Sequence, residues 1–255
     1  MVLFLKNPVK AKLRRREVSF GAWISVGHPD ISESLAGVGF DWLLFDTEHC
    51  PLNIEIIQGL LQSMGYGTRA IPLIRVAWND MVLIKRALDI GAYGLVIPWV
   101  NTREEALNAV RACKYPPEGV RGFGPRRAAM YDPEYVKTAN EELLIVAQIE
   151  TETALNNLDE ILSVKGIDVA LIGPWDLSMS LGVFTQWDSP KFKAAIEKVI
   201  EACGRWKVAP GYVCGDENVR WAVEKGFKFI SIGGDEGFMI KGAMDSLRRA
   251  KEALS

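Results

Sequence analysis

The sequence predicts an α/β fold, a (β/α)8 TIM barrel, on three observations. Eight short, apolar, β-branched runs alternate with longer helical patterns along the chain. Their near-continuous apolar character is that of strands covered on both faces, as in parallel sheets. The length of 255 residues is about that of one such barrel, so a single domain over residues 1–255 is expected. A doubly wound open sheet is the alternative. It lacks local support: no GxGxxG opens a helix after the first strand, and no GxxxxGKS or GxxxxGKT occurs.

Taken in order, the basic run from Lys10 to Arg16 reads as a solvated first helix, since a nucleic-acid arm needs a wider basic face. The strand candidates are residues 18–25, 42–46, 71–76, 94–98, 143–149, 168–172, 209–213 and 229–232. Asn53 caps a helix with Ile54, Ile57, Leu60, Leu61 and Met64 on one face. Asn79 opens the next, with Leu83, Ile84, Ala87 and Leu88 inward and Gly91 as its stop. Thr102 and Glu105 form a capping box. Ser189-Pro190 is an N-cap followed by proline at the first helical position. Gly226 ends a helix begun near Asp216. Asp235 starts a last helix with Met239, Ile240, Ala243, Leu247, Ala250 and Leu254 at helical spacing. The longest irregular stretch runs from Tyr115 to Asp132 and carries Arg121, Arg126 and Arg127, and long loops in compact domains are often functional.

A formal net charge of −2 favours neither nucleic acid nor an anionic membrane surface. No apolar run approaches the ~18 residues of a membrane span, and no signal-peptide pattern opens the chain. The cysteines Cys50, Cys113, Cys203 and Cys214 form no CxxC pair and read as reduced thiols of a cytoplasmic protein. Cys50 adjoins His49, but neighbours on an extended segment point apart, against a Cys–His nucleophile.

The chemistry concentrates after the strands. Glu150 follows the fifth candidate, and Asp176 follows the sixth within Gly173-Pro174-Trp175-Asp176-Leu177-Ser178. Strand C-termini of a barrel converge on one mouth, where two acids can share a divalent cation and leave positions open for a substrate. Gln148 and Glu150 lie two apart and face the same side. Asp46-Thr47-Glu48-His49 follows the second strand, three ionisable groups in four residues, which is unusual for packing alone, and His49 is the side chain suited to moving protons near neutral pH; the structural alternative for Asp46 and Glu48 is that acids are favoured at a helix start. His28, the other histidine, reads as a surface loop residue. Arg75, inside an apolar strand, needs a partner: it is either half of a structural ion pair or a fixed cation for a developing oxyanion. The backbone before Asp176 can hold a carboxylate, and Trp175 is either a pocket wall or a packing residue. The pair Gly233-Gly234 after the last strand admits a phosphate-binding reading, or a plain turn into a helix.

Together these motifs resemble the HpcH/HpaI family of metal-dependent pyruvate aldolases. The resemblance is carried by Phe40-Asp41-Trp42-Leu43-Leu44-Phe45-Asp46-Thr47-Glu48-His49 and Arg75-Val76-Ala77-Trp78-Asn79-Asp80. Tyr115-Pro116-Pro117-Glu118-Gly119-Val120-Arg121-Gly122, Gln148-Ile149-Glu150-Thr151 and Gly173-Pro174-Trp175-Asp176-Leu177-Ser178 continue it in family order. It implies class II cleavage of 4-hydroxy-2-oxo acids to pyruvate and an aldehyde, with Mg²⁺ or Mn²⁺, or Co²⁺, held by Glu150 and Asp176. It implies His49 as acid/base supported by Asp46, Arg75 at the enolate oxygen, and Gln148 beside the cation. Gly173, Pro174, Trp175 and Asp176 then border the pyruvate carboxylate. It further implies a hexamer, a trimer of dimers that exchange the C-terminal helix, with Arg121, Arg126 and Arg127 bordering a neighbour's site. Trp175 departs from the small residue or tyrosine common in the family, and is expected to narrow the pocket near the cation. The rival readings are a CoA-thioester lyase of the same superfamily, a sugar-phosphate isomerase using Gly233-Gly234, and a metal-binding barrel without turnover. No lysine lies inside the strand candidates, against a Schiff-base mechanism.

Overall fold

The computed structural model describes residues 6–65 and 68–254, so residues 1–5, 66, 67 and 255 of the expected unit lie outside the described residues. Its strands are β1 (Ser19–Ile24), β2 (Trp42–Asp46), β3 (Ile71–Arg75), β4 (Gly94–Ile97), β5 (Leu144–Ile149), β6 (Val169–Ile172), β7 (Ala209–Val213) and β8 (Phe229–Gly234). They close in chain order into one barrel, every pair parallel, with β8 bonded back to β1. The apolar runs are explained by two separate environments. Trp42, Leu44, Leu73, Val96, Val146 and Leu171 fill the inside, while Leu43, Phe45, Ile74, Leu95, Ala147 and Ile172 pack under the helices.

Gly21 on β1 is required by this filling. A Cβ there would fall 2.0 Å from the Trp42 ring, which stacks on Phe229 with ring centroids 4.1 Å apart. The first helix, Pro8–Arg14, plugs the bottom of the barrel with Val9 and Leu13. Its basic face is therefore not simply solvated. Lys10 is buried and bonds Leu143 O at 2.8 Å and Asp168 at 2.9 Å, and Lys12 pairs with Asp41 at 2.6 Å.

Local signals place most helix ends. Asn53 caps Ile54–Ser63, and Thr102 with Glu105 forms the capping box of Arg103–Cys113. Asp80, not Asn79, caps Met81–Asp89, by accepting from Val82 N and Leu83 N; Asn79 instead donates to Glu105 O. Leu83 on that helix is exposed, not inward. Ser189 stands at the N-cap of Pro190–Trp206 but makes no side-chain cap bond, so the proline alone carries that start. Asp216–Asn218 is a 3-10 turn before the helix Val219–Lys225, which ends on Gly226 at φ 100°.

The last helix, Asp235–Glu252, buries only Asp235 among its described residues, and Met239, Ile240, Met244 and Leu247 on it are exposed. Among the described residues no helix is long and apolar enough to cross a membrane, and all four cysteines are free.

Candidate active site

Parallel closure gathers the ends of β2, β3, β5 and β6 at one mouth, and with them most of the polar residues singled out from sequence. Asp46 and Arg75 are the last residues of β2 and β3 and stand opposite each other in register. Arg75 Nε and Nη2 donate to Asp46 Oδ1 and Oδ2, each at 2.8 Å. Arg75 Nη1 lies 3.0 Å from Glu48 Oε2, and the Trp23 ring stacks 4.5 Å from the guanidinium carbon. Burial disfavours the charge on Arg75, but its bonds to Asp46 and the charges of Asp46 and Glu48 more than offset that and raise its pKa. Burial likewise opposes ionisation of Asp46, yet the Arg75 guanidinium holds it below the usual range. The ion pair is real, but it leaves Arg75 able to act. Of its five N–H groups, two are spent on Asp46.

Glu150, just past β5, is 3% exposed. It accepts from Trp99 N at 2.7 Å and from Gln148 Nε2. Burial raises its pKa, and the charge of Asp176 adds to the rise. Asp176 itself is exposed, on the first turn of Pro174–Ser180. Gly173 keeps the space beside these groups open: a Cβ there would lie 3.4 Å from Gln148 Nε2 and from Glu150 Cβ and Oε2. Gln148 Oε1 is buried with no hydrogen-bond partner.

The donor set suits a hard divalent cation. It consists of carboxylate and amide oxygens, with excess negative charge and an orphaned buried acceptor. Among the described residues no three of His, Cys, Asp and Glu stand close enough to enclose a metal. Glu150 and Asp176 are the residues that would hold it, and a substrate can supply further oxygens.

Four expectations change on this geometry. Asp46 does not support His49: its contacts are with Arg75, Glu48 N and Cys50 Sγ. The acid beside the exposed His49 is Glu48, 3.9 Å away. Arg121 does not border a neighbouring subunit, because its side chain is fully buried in its own barrel, bonded to Asp89 at 2.7 Å and Tyr135 at 2.9 Å. Arg127 turns back onto Ile90 O and Leu61 O, which leaves Arg126 as the exposed arginine of that loop. Trp175 meets Trp187 edge-on at 5.9 Å and lines a groove of about 720 Å³ with Phe192, Tyr212 and Trp221, and no carboxylate of the mouth lines that groove.

Two contributors had little signal in sequence. Glu48 was one acid among neighbours. Trp99 takes φ 56° just after β4, a left-handed backbone that costs a side-chain-bearing residue about 1 kcal/mol or more and here aims an N–H at Glu150. Burial and Asp46 push the Cys50 thiol up to about 12, which disfavours the thiolate a nucleophile needs. The Gly233-Gly234 turn carries the buried Asp235, whose carboxyl takes the N–H groups of Ser25 and Val26. The N–H groups beside this turn are thus taken by an acid.

The HpcH/HpaI aldolase/citrate lyase model matches residues 19–242. A relative from Salmonella typhimurium, a 4-hydroxy-2-oxo-heptane-1,7-dioate aldolase, is 40% identical over 94% of this chain and 92% of its own. A solved HpcH/HpaI aldolase/citrate lyase family protein from Burkholderia cenocepacia superposes with a TM-score of 0.92 at 30% identity, covering 96% of this chain and all of that one. A solved HpcH/HpaI aldolase from Desulfitobacterium hafniense gives a TM-score of 0.88 at 33% identity, over 95% of this chain and 96% of that one.

Proposed function

The chain belongs to the HpcH/HpaI aldolase/citrate lyase family, and from that premise we propose that it is a class II pyruvate aldolase. It reversibly cleaves 4-hydroxy-2-oxo acids to pyruvate and an aldehyde. The observation that carries the reading is the pairing of Glu150 and Asp176 past neighbouring strands β5 and β6, with Arg75 at the same mouth.

Glu150 and Asp176 would hold a divalent cation, Mg²⁺ or Mn²⁺ with Co²⁺ as a substitute, which when bound polarises the 2-oxo group as a Lewis acid. The chain's own groups do the rest. Backbone from Gly173 to Asp176 takes the carboxylate. Gln148 offers its free Oε1 to a water or hydroxyl. His49 removes the proton of the C4 hydroxyl. The C3–C4 bond then breaks, its electrons pass into the enolate of pyruvate, and the aldehyde leaves. The N–H groups of Arg75 not used by Asp46 face the oxygen on which charge develops, where a preorganised donor is worth most. A proton delivered to C3 completes pyruvate.

The exposed apolar residues Met239, Ile240, Met244 and Leu247 support packing of the last helix on another copy, in a hexamer of exchanged dimers. Pyruvate release from a panel of 4-hydroxy-2-oxo acids, by chelated protein with each cation added back, tests the reading. Release restored by metal is expected; none under any metal would reject it.

A further inference from the structure

Glu48 is a part-buried acid of the mouth to which the mechanism above gives no role. Its side chain is 9% exposed. Resting on the aldolase reading, we propose that Glu48 binds the reacting hydroxyl: its carboxylate accepts the hydrogen bond of the substrate's C4 hydroxyl and passes that proton on to His49, whose Nε2 lies 3.9 Å from Oε1.

Position is the first reason. Arg75 Nη1 lies 3.0 Å from Oε2 of Glu48, and His49 Nε2 lies 3.9 Å from Oε1. These are the groups assigned to the enolate oxygen and to the proton, so an atom reacting between them meets Glu48. The second reason is an unmet bond. Oε2 is buried, yet its contact with Arg75 lacks hydrogen-bond alignment and no other donor reaches it. A carboxylate accepts only, so what fits there is a donor brought by the ligand.

Structural duties do not account for the residue. Asp46 already gives Arg75 a bidentate partner. A second acid beside it adds repulsion: burial, Glu150, Asp46 and Asp176 all push the Glu48 carboxyl up, against Arg75, to about 7.

Glu48→Gln and Glu48→Asp test this through four readouts: cleavage at saturating substrate, exchange of pyruvate methyl protons with solvent deuterium, Mn²⁺ binding and Tm. Exchange needs the cation and Arg75 but no C4 hydroxyl. Glu48→Gln should slow cleavage about ten- to hundredfold, the worth of one hydrogen bond to a charged group. Exchange and Mn²⁺ affinity should stay within about threefold on the same scale, Tm should not fall, and Glu48→Asp should recover part of the loss. Cleavage unchanged in Glu48→Gln would overturn the proposal. So would exchange falling as far as cleavage, which would mean that Glu48 acts only through Arg75, or a loss of Mn²⁺ affinity, which would make it a cation ligand. Failure of the unsubstituted protein to release pyruvate with any metal would instead overturn the aldolase reading and this proposal with it.

Discussion

Arg75 and Asp46 meet across β2 and β3 through two parallel hydrogen bonds of 2.8 Å, both side chains less than a tenth exposed. The pair sets the guanidinium plane, and Trp23 covers one face of it. Asp46→Ala would leave a buried cation with only Glu48 beside it. We expect a loss of about 3 kcal/mol, the lower end for breaking a buried pair, read as a lower midpoint in urea. Arg75→Lys keeps a charge but not the fork, so cleavage should fall at least about tenfold with less effect on stability.

Gly173 stands at φ −88°, which any residue adopts. Its Cβ would nonetheless rest at 3.4 Å against both Gln148 and Glu150. Gly173→Ala should therefore keep its Tm within about 2 °C, because no strained backbone is involved. It should weaken Mn²⁺ binding and cleavage together. A calorimetric titration reads the first and pyruvate release the second.

Metal-free protein should lose stability as pH rises from about 4.3, the ordinary glutamate value, through about 7. The sign follows from Glu48 and Glu150, both raised in the fold, chiefly by burial. A raised acid contributes stability below its unfolded pKa and loses it as pH passes the folded one. Asp46, held low by Arg75, acts oppositely and loses its contribution only on acidification. Tm of chelated protein should thus be higher at pH 5 than at pH 8. Mn²⁺ at pH 8 should close the gap, and Glu48→Gln should narrow it.

Asp80→Ala removes the acceptor for Val82 N and Leu83 N and should cost about 1 kcal/mol. The matching change at Asn79 removes only its bond to Glu105 O. Thermal melts of the two variants separate them.

The strands were legible because parallel barrel strands are buried on both faces, which leaves an apolar run with little room for error at its ends. The mouth was legible where a residue lies in the last two positions of a strand or directly follows it, as Asp46, Arg75, Gln148 and Glu150 do, since strand direction and alternation then decide where the side chain points. Loop residues escaped this logic. Arg121 reads as a surface charge because its partners Asp89 and Tyr135 lie 32 and 14 positions away. Glu48 and His49 are adjacent, and nothing local says that the acid turns in and the histidine out. Asn79 and Asp80 are both good caps, and only the helix's own first turn chooses between them.

The central claim is that Glu150 and Asp176 hold the cation on which cleavage depends. Mn²⁺ affinity and the Mn²⁺ dependence of pyruvate release, measured together on the unsubstituted protein, Glu150→Gln and Asp176→Asn, test it most directly. Each variant should bind Mn²⁺ at least about tenfold more weakly and lose pyruvate release with it. A variant that releases pyruvate at the full rate after chelation, or that binds Mn²⁺ as tightly as the unsubstituted protein, would contradict the claim.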